Sequence, residues 1–319
     1  MSLATEKQGF DPVALGRLNR LSLTRSFTPQ LDIDWDAQTT KLEFEALYPA
    51  WSLLQGSGLD KSLDAEDRVT FAKYQQMNLM LFTGLLERHA IAALTKLYDL
   101  DEATDFAEYV GHFIKEEIYH HMMFTRAVEQ IQATMPGAPP LPTQTVDRTL
   151  RWLFRLLNAI PSKKLRSTMT FTIFRFAERV TIYAHQMVQS KIPRRGSLIN
   201  QVWAYHAMDE ARHVAFDTMV LEHNRLWWPL AWVPRALAIP CCLWLSLLLN
   251  ANEIWIARQL GVRVRLHHLP SLMMRTTAPF KRRVFRLLVE TVRGADGDAI
   301  GGSGDGATKW RQTVQGTSQ

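Results

Sequence analysis

Between residues 69 and 226 apolar residues recur every three or four positions, and the alternating runs that mark strands are scarce. That period predicts an all-α body. Four long helices follow from where it starts and stops, at about 67–97, 102–134, 163–191 and 196–226, with a shorter one over 146–159. Pro136-Gly137 and Pro139-Pro140 end the second long helix, Pro161 ends the short one, and Pro193 closes the third. Residues 1–67 read as an irregular segment packing on the bundle, because Pro12, Pro29 and Pro49 interrupt any long helix. The bundle itself is expected over 68–226. Residues 227–293 are expected to add apolar and then basic C-terminal helices to the same domain. The tail 294–319 holds seven of the chain's 16 glycines and is expected to be flexible.

A chain of 319 residues is long enough for one large domain with a sizeable core. Its two cysteines, Cys241 and Cys242, are adjacent, so they suggest neither a disulfide framework nor an oxidising compartment. The first twenty residues lack the apolar core of a signal peptide, which makes the cytoplasm the expected location.

The formal charge of +6 is concentrated near the C-terminus, where 258–293 carry nine Lys/Arg against one acid, Glu290. No aromatic-interleaved RNA motif, zinc finger or helix-turn-helix accompanies it, so nucleic acid is not an expected partner. A docking patch for an acidic electron-transfer protein, or for an anionic membrane surface, fits better. The segment 227–249, WWPLAWVPRALAIPCCLWLSLLL, reads first as a helix buried at a homodimer interface. Its second reading is a helix lying peripherally in a membrane surface. Its charge-free part, 236–249, is shorter than the roughly 20 residues needed to span a bilayer.

Two short pieces carry the chemistry. Glu117-Ile118-Tyr119-His120 and Glu210-Ala211-Arg212-His213 each place a histidine three residues after a glutamate, on one face of a predicted helix. Glu117 and His120 share a stripe with Val110, Phe113, Phe124 and Ile131, so they are polar groups on a core face. Glu87 and Glu178 lie on similar stripes of the other two long helices. Buried charges need partners or a metal, and two Glu-x-x-His motifs with two further glutamates form the ligand set of a ferritin-like di-metal bundle. Four glutamates also neutralise two divalent ions. Oxygen-rich ligands with some imidazole suit iron or manganese, and iron is favoured because its two oxidation states let it reduce O₂. Glu116 falls about 100° round the helix from Glu117, on a more polar face, and is expected to remain solvated.

His206 lies four residues before Glu210 on the same face and offers a third imidazole. The full order, Glu87…Glu117-x-x-His120…Glu178…His206-x-x-x-Glu210-x-x-His213, resembles the bacterial p-aminobenzoate N-oxygenase family of di-iron arylamine oxygenases over roughly residues 20–225. The resemblance implies a ferritin-like bundle in which these seven residues bind two iron ions. It further implies O₂ activation with electrons from an external donor, such as a ferredoxin or reductase, and oxygen transfer to an amine nitrogen. The run Asp209-Glu210-Ala211-Arg212-His213 also resembles other di-iron oxygenases, in which the aspartate accepts the outer N–H of a histidine from the opposite motif. By that resemblance the histidine held by Asp209 would be His120. Arg212, Thr181, His185 and Asp217 are supporting candidates by position. Gly84 is expected to leave space beside Glu87, and Phe113, Phe171 and Phe174 to wall an apolar pocket. Other readings are a di-iron hydroxylase or oxidase of an aliphatic or lipid-like substrate, and an iron-storage bundle.

Overall fold

The computed structural model describes residues 10–98, 104–192, 196–224 and 233–293. The expected tail 294–319 and the first residues of the 227–249 segment lie outside them. Among the described residues the chain is helical, without strands. Four long helices build the centre: α4 (Ala65–Leu97), α5 (Asp105–Ala133), α7 (Lys163–Lys191) and α8 (Leu198–His223). Three start on a side-chain cap. Asp64 accepts from the backbone N–H of Asp67, Thr104 from that of Ala107, and Ser162 from that of Leu165. α4 packs with α5 and α7 with α8, and the two pairs face each other across a shared core. The short helix α6 (Thr143–Asn158) lies on α4 and α7.

The N-terminal segment departs from the expected irregularity. It contains α1 (Pro12–Thr24), the single turn α2 (Pro29–Asp32) and α3 (Lys41–Trp51). Pro12 and Pro29 do not break helices; they begin them, at the first position, where no backbone N–H is needed. A capping box between Thr40 and Glu43 starts α3, which carries Pro49 within its last turn. α1 then packs on α5 and α8, and α3 on α4 and α7.

The apolar C-terminal segment forms α9 (Val233–Gln259), followed by α10 (Leu269–Arg275) and α11 (Pro279–Arg293). Leu237–Gln259 is long and apolar enough to cross a membrane, yet 56% of its most apolar window is buried against the bundle. Ala238, Cys242, Leu245, Leu249 and Ile256 form the inward face, while Leu237, Leu243 and Trp244 stay exposed. A buried polar network docks this helix on α4: Asn252 donates to Asn78, Asn78 to the Leu249 carbonyl, and Gln75 to Glu253. Lys281 of α11 pairs with the same Glu253, so it belongs to the core and not to the solvated basic face. Of the other basic residues of this region, Arg258, Arg263, Arg265, Arg275, Arg282 and Arg286 are exposed.

Gly84 does not open space beside Glu87. α5 fills it: His121 Nδ1 donates to the Gly84 carbonyl at 2.9 Å, and a Cβ on residue 84 would sit 3.3 Å from that nitrogen. The glycine lets α4 and α5 approach closely at the level of the acidic cluster.

Candidate metal centre

The helix pairs bring Glu87 from α4, Glu117 and His120 from α5, Glu178 from α7, and His206, Glu210 and His213 from α8 into one buried region. None is more than 7% exposed, so their charges cannot be met by bulk water. Six of the seven form two overlapping clusters. Glu87, His120, His206 and Glu210 offer ligand atoms within 4.8 Å of one another, and Glu117, Glu210 and His213 do the same. Glu210 is common to both. Its Oε1 lies 3.4 Å from His120 Nδ1, 3.2 Å from His206 Nε2 and 3.6 Å from His213 Nδ1. Donor atoms that each sit about 2.0–2.2 Å from one ion lie roughly 3–4 Å from one another, so these spacings suit a shared coordination sphere.

Glu178 stands slightly apart from the two clusters, against Asp217 on α8. Burial and then the Asp217 charge push its pKa well above the ordinary carboxylate value. Glu87 is raised by burial and by the neighbouring Glu117, and Asp217 by burial. In all three acids burial disfavours the charged form, a cost that a bound cation would offset. Glu87 Oε2, Glu117 Oε2, Glu178 Oε2 and the Nδ1 atoms of His120 and His213 have no hydrogen-bond partner among the described residues. Buried polar atoms are rarely left so. Orphaned oxygens and nitrogens converging from four helices fit metal ions well.

The outer nitrogens are held. His120 Nε2 lies 3.1 Å from Asp209 Oδ2, as expected from sequence. His213 Nε2 lies 2.9 Å from Glu116 Oε2, which is a correction: Glu116 is buried, not solvated. Burial alone would raise the Glu116 pKa, but its hydrogen bond and attraction to His213, joined by Arg212, hold it down to about 2. Arg212 donates to Glu116 at 2.7 Å and also to Asp209. One guanidinium therefore ties together the two carboxylates that orient the two histidines. A carboxylate on the outer N–H fixes the tautomer and raises the basicity of the ligating nitrogen. Accordingly the pKa values of both histidines, depressed by burial, are carried well above normal by these acids and by the adjacent glutamates. His206 lacks such a brace. Burial and then the charges of His120 and His213 press its pKa well below normal, which leaves it a neutral donor 2.8 Å from Glu87 Oε1.

Glu116 was legible in one respect. Asp209 immediately precedes Glu210, and Glu116 immediately precedes Glu117; each acid holds the histidine of the other motif. The remaining supporting candidates do less. Thr181 donates to the backbone carbonyl of Glu178, and His185 is half-buried with its pKa lowered by burial to about 4. Phe113 lies flat on the His213 ring at 3.7 Å, while Phe171 and Phe174 pack edge to face in the core. Replacing Glu116 by alanine is expected to weaken metal binding by about 10–100-fold, the usual effect of losing such an outer partner. A chelator competition measuring iron affinity checks it; unchanged affinity would make Glu116 a mere partner of Arg212.

A helical core with two acid–histidine clusters and a shared carboxylate defines a ferritin-like protein with a buried site fitted to metal. The sequence model of the family described as p-aminobenzoate N-oxygenase AurF matches residues 11–269, and the chain belongs to that family. It is also 24% identical over 213 residues to uncharacterized proteins of Mycobacterium bovis and Mycobacterium tuberculosis. The match covers 63% of this chain and 58% of each relative, so the chain spans less than two thirds of those proteins' length.

Proposed function

We propose that this protein is an O₂-dependent di-iron oxygenase that adds oxygen to the nitrogen of an aryl amine. The observation that carries the reading is the pair of clusters sharing Glu210 and provided with a third imidazole, His206. Glu87, Glu117, Glu178, Glu210 and the three histidines would hold the ions, and the bound iron supplies O₂ reduction and oxygen transfer. One oxygenation consumes an amine, one O₂, two electrons and two protons, and gives a hydroxylamine and water. The electrons require an external donor, for which the exposed arginines between 258 and 286 offer an attractive surface to an acidic partner.

The chain's own residues have three tasks. Asp209 and Glu116, joined by Arg212, fix the imidazoles of His120 and His213. The surrounding buried rings, including Phe113 and Phe124, would keep water from bound ions. His206, neutral and unbraced, adds a donor without adding charge.

The reading is tested by loading the protein with iron, reducing it, and following O₂ uptake with and without an aryl amine such as p-aminobenzoate. Faster uptake with amine, together with a product heavier by oxygen, is the expected result. Uptake indifferent to amines would favour iron storage, and acceleration only by an aliphatic substrate would favour a hydroxylase. His206→Ala should retain about two irons, since six other ligands remain. Its product per iron should fall about tenfold or more, the effect of losing roughly 1.4 kcal/mol of transition-state stabilisation. An unchanged rate per iron would demote His206 to a packing residue.

A further inference from the structure

Aromatic rings run in contact from the metal centre to the basic surface. Trp203 meets the ring of His206 edge-on, with centroids 5.8 Å apart. Trp51 follows at 6.4 Å, and stacks on Phe280 at 4.1 Å and 15°. Phe280 in turn stacks on Tyr183 at 6.1 Å and 15°. Trp203, Trp51 and Phe280 are almost fully buried, whereas Tyr183 is half-buried on α7 with the Arg283 guanidinium of α11 5.8 Å from its ring. Among aromatic side chains, indole and phenol are the most readily oxidised by one electron, the phenol losing its proton as it does so. Three of them therefore lie in series between a histidine ligand and solvent, with one flat ring bridging the widest gap.

We propose that Trp203, Trp51 and Tyr183 form a one-electron relay that discharges the O₂-charged metal pair to the surface when no amine is bound. This rests on the oxygenase reading above. In each pass Trp203 gives one electron to the metal pair and regains it from Trp51, which regains one from Tyr183; two passes, added to the two electrons of the reduced pair and four protons from solvent, would take one O₂ to two waters. Tyr183 loses its phenolic proton to solvent as it loses its electron. A small external reductant of the thiol or ascorbate class returns one electron, and solvent returns the proton.

The hydrogen bonding of each ring suits its place. An oxidised indole becomes a stronger acid at its N–H, and losing that proton would trap the oxidising equivalent. Trp203 Nε1 donates to the neutral Gln76 amide oxygen at 3.1 Å, and Trp51 Nε1 has no acceptor among the described residues. Neither proton has a base to take it, so each oxidised indole stays strongly oxidising and passes its deficit outward. Tyr183, nearest to water, is where the proton can leave. Two other tyrosines near the centre are poorer exits. The Tyr109 hydroxyl is buried without a partner, so its proton has nowhere to go. Tyr205 is separated from His120 by Phe27, across centroid distances of 6.2 and 4.9 Å, with no indole on the way, and its hydroxyl donates to a neutral backbone carbonyl that cannot take its proton.

The test uses the full-length, iron-loaded protein, reduced and then exposed to O₂ without amine or external reductant. Radicals are read by electron paramagnetic resonance in samples frozen during the first turnover, and oxygen additions by peptide mass mapping. A tyrosyl signal and an oxidised peptide at Tyr183 are expected. Tyr183→Phe, a change near the surface, should replace that signal with a tryptophanyl one. Trp203→Phe should lose both, with damage shifting to residues around the ligands. Identical marks in the parent protein and Trp203→Phe, or marks confined to Tyr109 or Tyr205, would overturn the relay while leaving the oxygenase reading intact. O₂ uptake measured on the same samples separates the two: its absence would overturn the oxygenase reading and the relay with it.

Discussion

Glu210→Ala is expected to abolish iron binding at both positions, because Glu210 is the one residue common to both clusters. Its oxygen lies within 3.6 Å of a nitrogen on each of the three histidines, so neither cluster keeps its geometry without it. The same substitution should matter far less to the metal-free fold. Burial pushes the Glu210 pKa up while its hydrogen bond and attraction to His213 oppose the shift, so removing it relieves desolvation but also loses that attraction. Metal-free Glu210→Ala should therefore melt close to the metal-free parent. The parent should gain about 2.7 kcal/mol of stability at an iron concentration of about a hundred times Kd, a gain the variant lacks. Iron content by elemental analysis and melting with and without iron check both halves. Two irons retained in the variant would sink the assignment of Glu210 as the bridge.

Arg212→Leu is expected to be the most damaging single change to the metal-free protein. The guanidinium, 7% exposed in its side chain, is shared by Glu116 and Asp209, both buried. Removing one partner of a buried ion pair costs about 3–5 kcal/mol, because it strands uncompensated charge. Here two carboxylates lose the arginine at once, but Glu116 keeps His213 and Asp209 keeps His120, so the loss should lie within that range and not beyond it. A denaturant midpoint measures it, and the double change of Arg212→Leu with Glu116→Gln should recover part of it by removing one stranded charge. A cost below about 1 kcal/mol, typical of exposed pairs, would show that the trio is not held as described.

Much of this architecture is legible in the sequence. The helix expected over 163–191 is α7 to the residue, because Ser162 supplies a cap and Pro193 forbids continuation. Placing Glu87, Glu117, His120, His206, Glu210 and His213 on core faces required only the period of the helix. The N-terminal helices escaped notice because proline reads as a breaker in a pattern of apolar spacing, yet at the first helical position it is a starter. Glu116 escaped for a different reason. A wheel drawn around one helix assigns a residue to a polar face, but that face of α5 is the one α8 covers with Arg212 and His213. Which polar face gains a partner is decided by the neighbouring helix. The polar contacts docking α9 were hidden for the same reason, since Asn252 and Glu253 acquire meaning only opposite Asn78 and Gln75.

The crossed bracing of His120 by Asp209 and of His213 by Glu116, closed through one arginine, bears on how the centre fills. An ion settling at one position stiffens a histidine whose support is mechanically continuous with that of the other. The second ion then meets ligands already in place, so loading should be cooperative and the half-filled protein scarce. For a cell this matters, because a lone ferrous ion with an open coordination position reduces peroxide to hydroxyl radical. A scaffold that fills both places or neither spares its host that chemistry during assembly.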